Sequence, residues 1–120
     1  MERRAENNCP TTHKAPPAPY YAVIFSSTLA DDAEGYGEMA ARMVELAREQ
    51  EGFIDVESAS RTSEGFGITV SYWRDLESIR KWKAQSEHAA AQKMGRDAFY
   101  KNYRLRIARV EREYGFERDE

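Results

Sequence analysis

The 120-residue chain predicts an α+β domain, a ferredoxin-like β-α-β-β-α-β unit with a four-stranded antiparallel sheet and its helices on one face. Three observations carry that expectation. Four segments are rich in β-branched and aromatic residues, and two others place apolar residues at helical spacing. A tight turn joins the second and third strand-like segments into a hairpin. The first strand-like segment is apolar on both of its sides, although a sheet with one wet face should alternate apolar and polar. Something must therefore cover the face that the helices leave bare.

Taken in order, residues 1–19 are polar and hold all four prolines, so they read as a disordered leader. Tyr20 to Leu29 is the first strand; Tyr21, Val23 and Phe25 line one face, and Tyr20, Ala22 and Ile24 the other. Tyr36 to Gln50 carries Met39, Ala40, Met43, Leu46 and Ala47 three or four residues apart, the pattern of an amphipathic helix, and Gly52 closes it in the manner of a left-handed cap. Phe53 to Arg61 and Phe66 to Trp73 form the hairpin around Thr62-Ser63-Glu64-Gly65. Asp75 caps a helix that starts near Leu76, with Ile79 and Trp82 on its buried stripe. Ser86 reads as a second N-cap, with three alanines carrying the helix on to about Met94. Tyr103 to Arg112 is the last strand. The folded domain is expected over 20–115 and a charged tail over 116–120. With no further element to cover the bare sheet face, a second copy is expected there, which makes the protein a homodimer of stacked sheets.

Composition narrows the function. A net charge of −3 supplies no general attraction to nucleic acid or to anionic membrane. No apolar run approaches the roughly 18 residues that span a bilayer, and the charged start is not a secretory signal. The single cysteine, Cys9, cannot form an internal disulfide and fits a reducing cytoplasm. Neither histidine has metal-ligand spacing to a partner, so no metal is expected.

Two motifs are set aside. Gly35-Tyr36-Gly37-Glu38-Met39-Ala40 spells G-x-G-x-x-A, but it does not sit in a tight turn directly after a strand, and the chain is too short for the repeated units of a nucleotide crevice. Arg96, Lys101, Arg104, Arg106, Arg109 and Arg112 interleave with Tyr100 and Tyr103, a mixture that can bind single strands. A solvated strand face, paired with the acidic tail or with a dimer partner, explains it better.

The densest chemistry is Tyr72-Trp73, then Trp82, then His88. Aromatic walls and one imidazole suit a pocket for a flat, oxidisable molecule; they equally suit an ordinary core. His88 follows the expected cap at Ser86, where the helix dipole disfavours a charged ring. Neutral imidazole is what a general base requires. The plainer alternative is a half-exposed histidine bonded to backbone.

The run Ile68-Thr69-Val70-Ser71-Tyr72-Trp73-Arg74-Asp75-Leu76-Glu77-Ser78-Ile79-Arg80-Lys81-Trp82-Lys83, with Ser86-Glu87-His88, Ala91-Gln92 and Gln50-Glu51-Gly52-Phe53, resembles the antibiotic biosynthesis monooxygenase superfamily over roughly residues 20–115. The resemblance implies a dimeric α+β barrel. It also implies an activity among those of the family, which include oxygenases that turn quinols or anthrones into quinones without metal or flavin, and enzymes that cleave haem. The haem-cleaving branch uses an Asn on the first strand, a helical Trp and a His nine or ten residues later. Trp82 matches the Trp, but Ala91 or Gln92 stands at the His position and Ser26 or Ser27 at the Asn position, so haem is the weaker reading.

The expectation is thus a cofactor-independent cytoplasmic monooxygenase acting on a small aromatic quinol or anthrone. In it His88 is the proton acceptor, Tyr72, Trp73 and Trp82 are aromatic walls, and Gln92 or Ser26 are polar orienters. The rival from another class is a non-catalytic dimeric module that binds a small ligand or serves in stress.

Overall fold

The computed structural model describes residues 18–31, 35–61, 65–93 and 99–118, with side chains given for all of these except Arg61 and 87–93. The expected leader lies almost wholly outside the described residues. Six elements follow in order: β1 (Tyr20–Leu29), α1 (Tyr36–Arg48), β2 (Phe53–Arg61), β3 (Phe66–Trp73), α2 (Leu76–Lys93) and β4 (Tyr100–Val110). The strands form one antiparallel sheet in the order β2-β3-β1-β4. This is the expected ferredoxin-like arrangement, with α1 packed over β2 and α2 over β3.

The pleat sorts the side chains. Tyr21 pairs with Trp73, Val23 with Ser71 and Phe25 with Thr69, and these odd positions of β1 face the helices. Ala22 pairs with Tyr72, Ile24 with Val70 and Ser26 with Ile68 on the opposite, outer face. Partners directly across a ladder share a face, so one register fixes the destination of every side chain on β1 and β3. The core on the helix side is Val23, Ala47, Trp73 and Ile79, with Tyr21, Phe53, Trp82 and Leu105 packed around it. A second cluster joins Met39 and Met43 of α1 to Phe99 and Tyr100 at the start of β4. The outer face leaves Phe66 and Ile68 exposed, which matches the two-sided apolar strand seen in the sequence.

Two glycines are required by backbone geometry. Gly52 has φ +95°, and a Cβ there would stand 2.0 Å from the Ser78 Oγ, so the loop after α1 can reach the start of α2 only without a side chain. Gly35, the first glycine of the G-x-G-x-x-A stretch, is the N-cap of α1 at φ +88°, and its carbonyl accepts the first helical bond from Met39 N–H at 3.1 Å. Gly35 thus serves helix entry.

Three sequence expectations need correction. α1 ends at Arg48 rather than Gln50, whose side chain instead donates back to the Leu46 carbonyl at 3.1 Å. β4 starts at Tyr100 rather than Tyr103, because a register shift after Thr28 lets Leu29 pair with Tyr100. Ser86 caps nothing. α2 runs unbroken through it, and its hydroxyl donates to the Lys83 carbonyl at 3.0 Å, a bond available to serine inside a helix. Asp75 does cap α2, accepting from Ser78 N–H at 2.8 Å and from the Ser78 hydroxyl at 2.7 Å.

Candidate functional site

The helix face of the sheet carries an aromatic shelf. Trp73 is wholly buried at the end of β3; its Nε1–H donates to the Ser71 Oγ at 2.8 Å. Phe53 meets its ring edge-on at 5.5 Å, and Trp82 of α2 lies tilted against it at 5.3 Å. Trp82 is only half buried, yet its Nε1 is inaccessible to solvent and finds no hydrogen-bond partner among the described residues. Leaving a buried donor unpaired costs about 1–3 kcal/mol.

Beyond this shelf, Phe25 of β1 stands 5.4 Å from Tyr100 and 5.5 Å from Tyr103, and Tyr36 of α1 meets Tyr100 edge-on at 5.7 Å. The shelf and this second aromatic group share one sheet face, held by α1 and α2.

The expected site residues do not all gather there. Trp73 and Trp82 do, although Trp73 is too enclosed to present a surface of its own and is covered by Trp82. Tyr72 does not: it points from the outer face, where its hydroxyl donates to Glu57 at 3.0 Å and its ring lies edge-on to Tyr20 at 6.1 Å. Ser26 is on that outer face as well, paired with Ile68 and Arg104. His88 and Gln92 lie on α2, but their side chains are outside the described residues. Because α2 begins at Leu76, His88 is well past its middle, and the dipole argument for a neutral imidazole no longer applies.

The outer face has its own polar end. Tyr20 donates to the Glu113 carboxylate from the segment after β4, and both flank a cleft of about 370 Å³ together with Ile54, Glu57, Tyr72 and Arg112. Burial, reinforced by the bond to Glu57 and that residue's negative charge, pushes the Tyr72 phenol up to about 12. Burial, then the bond to Glu113, raises Tyr20 further still. Sequence reasoning missed this group because Glu113 meets Tyr20 across 93 residues of chain. The alternation of the strand did separate Tyr72 from Trp73, and that signal was available.

Among the described residues, no group of three or more His, Cys, Asp or Glu could hold a metal ion, and no helix is long and apolar enough to cross a membrane.

Comparison with known proteins follows the same lines. A family model described as antibiotic biosynthesis monooxygenase matches residues 19–94. The chain is 49% identical over 104 residues to the uncharacterized protein YqjZ of Bacillus subtilis (strain 168), covering 87% of this chain and 90% of that protein. It is 34% identical over 61 residues to Jasmonate monooxygenase ABM of Pyricularia oryzae, a match spanning 50% of this chain and 28% of that protein. The solved structure of SnoaB, a cofactor-independent oxygenase from Streptomyces nogalater, shares the fold at a TM-score of 0.59 and 16% identity, covering 80% of this chain and 95% of that one.

Proposed function

The chain belongs to the antibiotic biosynthesis monooxygenase family, and from that premise we propose that it is a cofactor-independent monooxygenase acting on a small aromatic quinol or anthrone. The observation that carries this reading is the buried Nε1–H of Trp82, unpaired among the described residues, beside the Trp73 ring. A flat ring stacks on an indole edge or face, and a phenolate or carbonyl oxygen supplies the acceptor that the indole lacks. Jasmonate monooxygenase ABM and the oxygenase SnoaB support oxygen chemistry in this family and on this fold.

The chemistry balances without a resident cofactor. A base, for which His88 is the candidate, takes the phenolic proton of the substrate. The electron-rich anion transfers one electron to O₂, giving a semiquinone-type radical and superoxide. With an anthrone, recombination forms a C–O bond at the ring carbon that still carries hydrogen. The hydroperoxide, reprotonated by the base, loses water together with that hydrogen to leave the quinone carbonyl, so one atom of O₂ enters product and the other leaves as water. A quinol, which already carries both oxygens, gives up two electrons and two protons, and O₂ leaves as hydrogen peroxide. An apolar surround shields the radical pair from water. In this scheme Trp82 holds the substrate oxygen and Trp73 fixes Trp82. Gln92 is the candidate orienter on α2, whereas Tyr72 and Ser26 on the outer face take no part. The protein works as a homodimer in the cytoplasm, its apolar outer face, with Ile24, Ile68 and Val70, covered by a second copy.

The test is oxygen uptake with a panel of reduced naphthoquinols and anthrones, comparing wild type with Trp82→Phe and His88→Ala. Uptake that depends on both residues supports the reading. Uptake unaffected by either substitution would remove the assigned roles.

A further inference from the structure

Two tyrosines and two glutamates enclose a cleft at one end of the outer face, on the side of the sheet away from the aromatic shelf. Tyr20 opens β1 and Tyr72 stands near the end of β3; their rings meet at 81° with centroids 6.1 Å apart. The pair makes an inside corner, of which Tyr20 is the buried wall. Glu57 reaches the corner from β2, and Glu113 from the segment after β4. With Arg112 and Tyr114 they bound a cleft of about 370 Å³. That volume is in the range of small-molecule sites, roughly 300–1,000 Å³.

Hydrogen bonding decides what this corner can accept. Tyr72 donates its hydroxyl hydrogen to Glu57 at 3.0 Å, and Tyr20 donates its own to Glu113. Both phenol hydrogens are thereby spent inside the protein. A carboxylate has about four acceptor sites, so one bond from a phenol leaves each glutamate able to accept more. The corner offers a ligand acceptors and ring faces.

The two carboxylates also act on one space rather than two. Besides its own partner, Glu113 disfavours the Tyr72 phenolate, and Glu57 that of Tyr20. Asp55 adds to the same negative field at Tyr72. Against these three acids the lining holds one base, Arg112. An anion meets repulsion here. A cation meets acceptors and aromatic faces together, the combination that recognises ammonium groups.

We propose that this cleft is a binding site for a small organic ammonium compound, its charge held by Glu57 and Glu113 and its body in the Tyr20–Tyr72 corner. The site is on the opposite face from Trp82 and does not rest on the oxygenase reading. Tyr20 precedes Ile24 of the apolar centre by four residues, about 13 Å of strand, so the cleft opens at the end of the sheet.

The experiment is calorimetry on the full chain with benzyltrimethylammonium, a permanent cation on a single ring. Benzyl alcohol and phenylacetate are its neutral and anionic counterparts. The cation should bind in the millimolar range or better, about 10-fold more tightly than the alcohol, with phenylacetate weaker still. Glu57→Gln and Glu113→Gln keep an acceptor for each phenol while removing charge, and each should weaken the cation about 10-fold. Arg112→Gln removes the competing cation and should tighten binding several-fold, a gain that a misfolded chain could not give. In NMR spectra the cation should shift the ring resonances of Tyr20 and Tyr72 and leave the indole N–H of Trp82 in place. Equal affinity for cation and alcohol, or affinity indifferent to all three substitutions, would overturn the proposal. So would the absence of binding, or shifts confined to Trp82. None of these results bears on the oxygenase reading, which has its own test in oxygen uptake.

Discussion

Trp73 and Trp82 lie with ring centroids 5.3 Å apart, and the two indole N–H groups meet opposite fates: that of Trp73 is satisfied by Ser71, whereas that of Trp82 is buried without a described partner. The difference separates a structural tryptophan from a candidate for binding. Trp82→Phe keeps an aromatic ring against Trp73 and deletes the unpaired donor. Stability to urea should stay the same or rise by about 1 kcal/mol, while turnover of a bound quinol falls. A loss of stability of several kcal/mol would show that the N–H is satisfied within the fold.

Gly52→Ala should be among the most damaging small substitutions in the chain. Its φ of +95° is unfavourable for alanine, and the new Cβ would meet the Ser78 Oγ at 2.0 Å. A destabilisation of about 2 kcal/mol or more is expected, read as a lowered midpoint in chemical denaturation. Adding Ser78→Gly should recover part of it by removing the atoms in the way.

Asp75→Ala removes the cap of α2, with both of its bonds to Ser78. A loss of about 1 kcal/mol is expected. The bonds to Ser78, and secondarily Arg74, hold the Asp75 carboxyl below its ordinary value. The cap's contribution is therefore present above the usual aspartate range and fades as pH falls through the lowered value, a fading that the alanine variant should lack.

Alkaline titration tests the outer-face phenols. Tyr72 is raised to about 12 by burial and by Glu57, so its contribution to stability is complete below about pH 10 and is lost as pH rises toward about 12. Phenolate absorbance should show Tyr20 and Tyr72 titrating above the usual tyrosine range. Glu57→Gln should bring Tyr72 down; an unchanged titration would mean that the carboxylate has no hold on it.

Much of the fold was legible in the sequence for local reasons. β1, β2 and β3 begin and end where expected, because β-branched and aromatic runs stop at glycine, at turn residues or at the Asp75 cap. The start of β4 was not, since it depends on the register shift between Thr28 and Leu29, which only the assembled sheet determines. Ser86 misled because serine bonds to nearby backbone both at a helix start and inside one, and only the second occurs here. The site was legible in part. The tryptophans were expected together and are together, nine residues apart in the chain and in contact in space. Tyr72 was expected beside Trp73 because the two are adjacent in sequence, but adjacency on a strand sends side chains to opposite faces. The same rule, applied to β1, correctly foresaw an outer face with an apolar centre.

The most direct test of the oxygenase reading is oxygen consumption by the purified, metal-stripped and flavin-free protein with reduced naphthoquinols and anthrones, alongside Trp82→Phe. Uptake above the spontaneous rate, with one O₂ consumed per quinone formed from an anthrone and a marked fall in the variant, is the expected result. Substrate binding that depends on Trp82 without any oxygen uptake would contradict it and would leave a ligand-binding protein on an oxygenase fold.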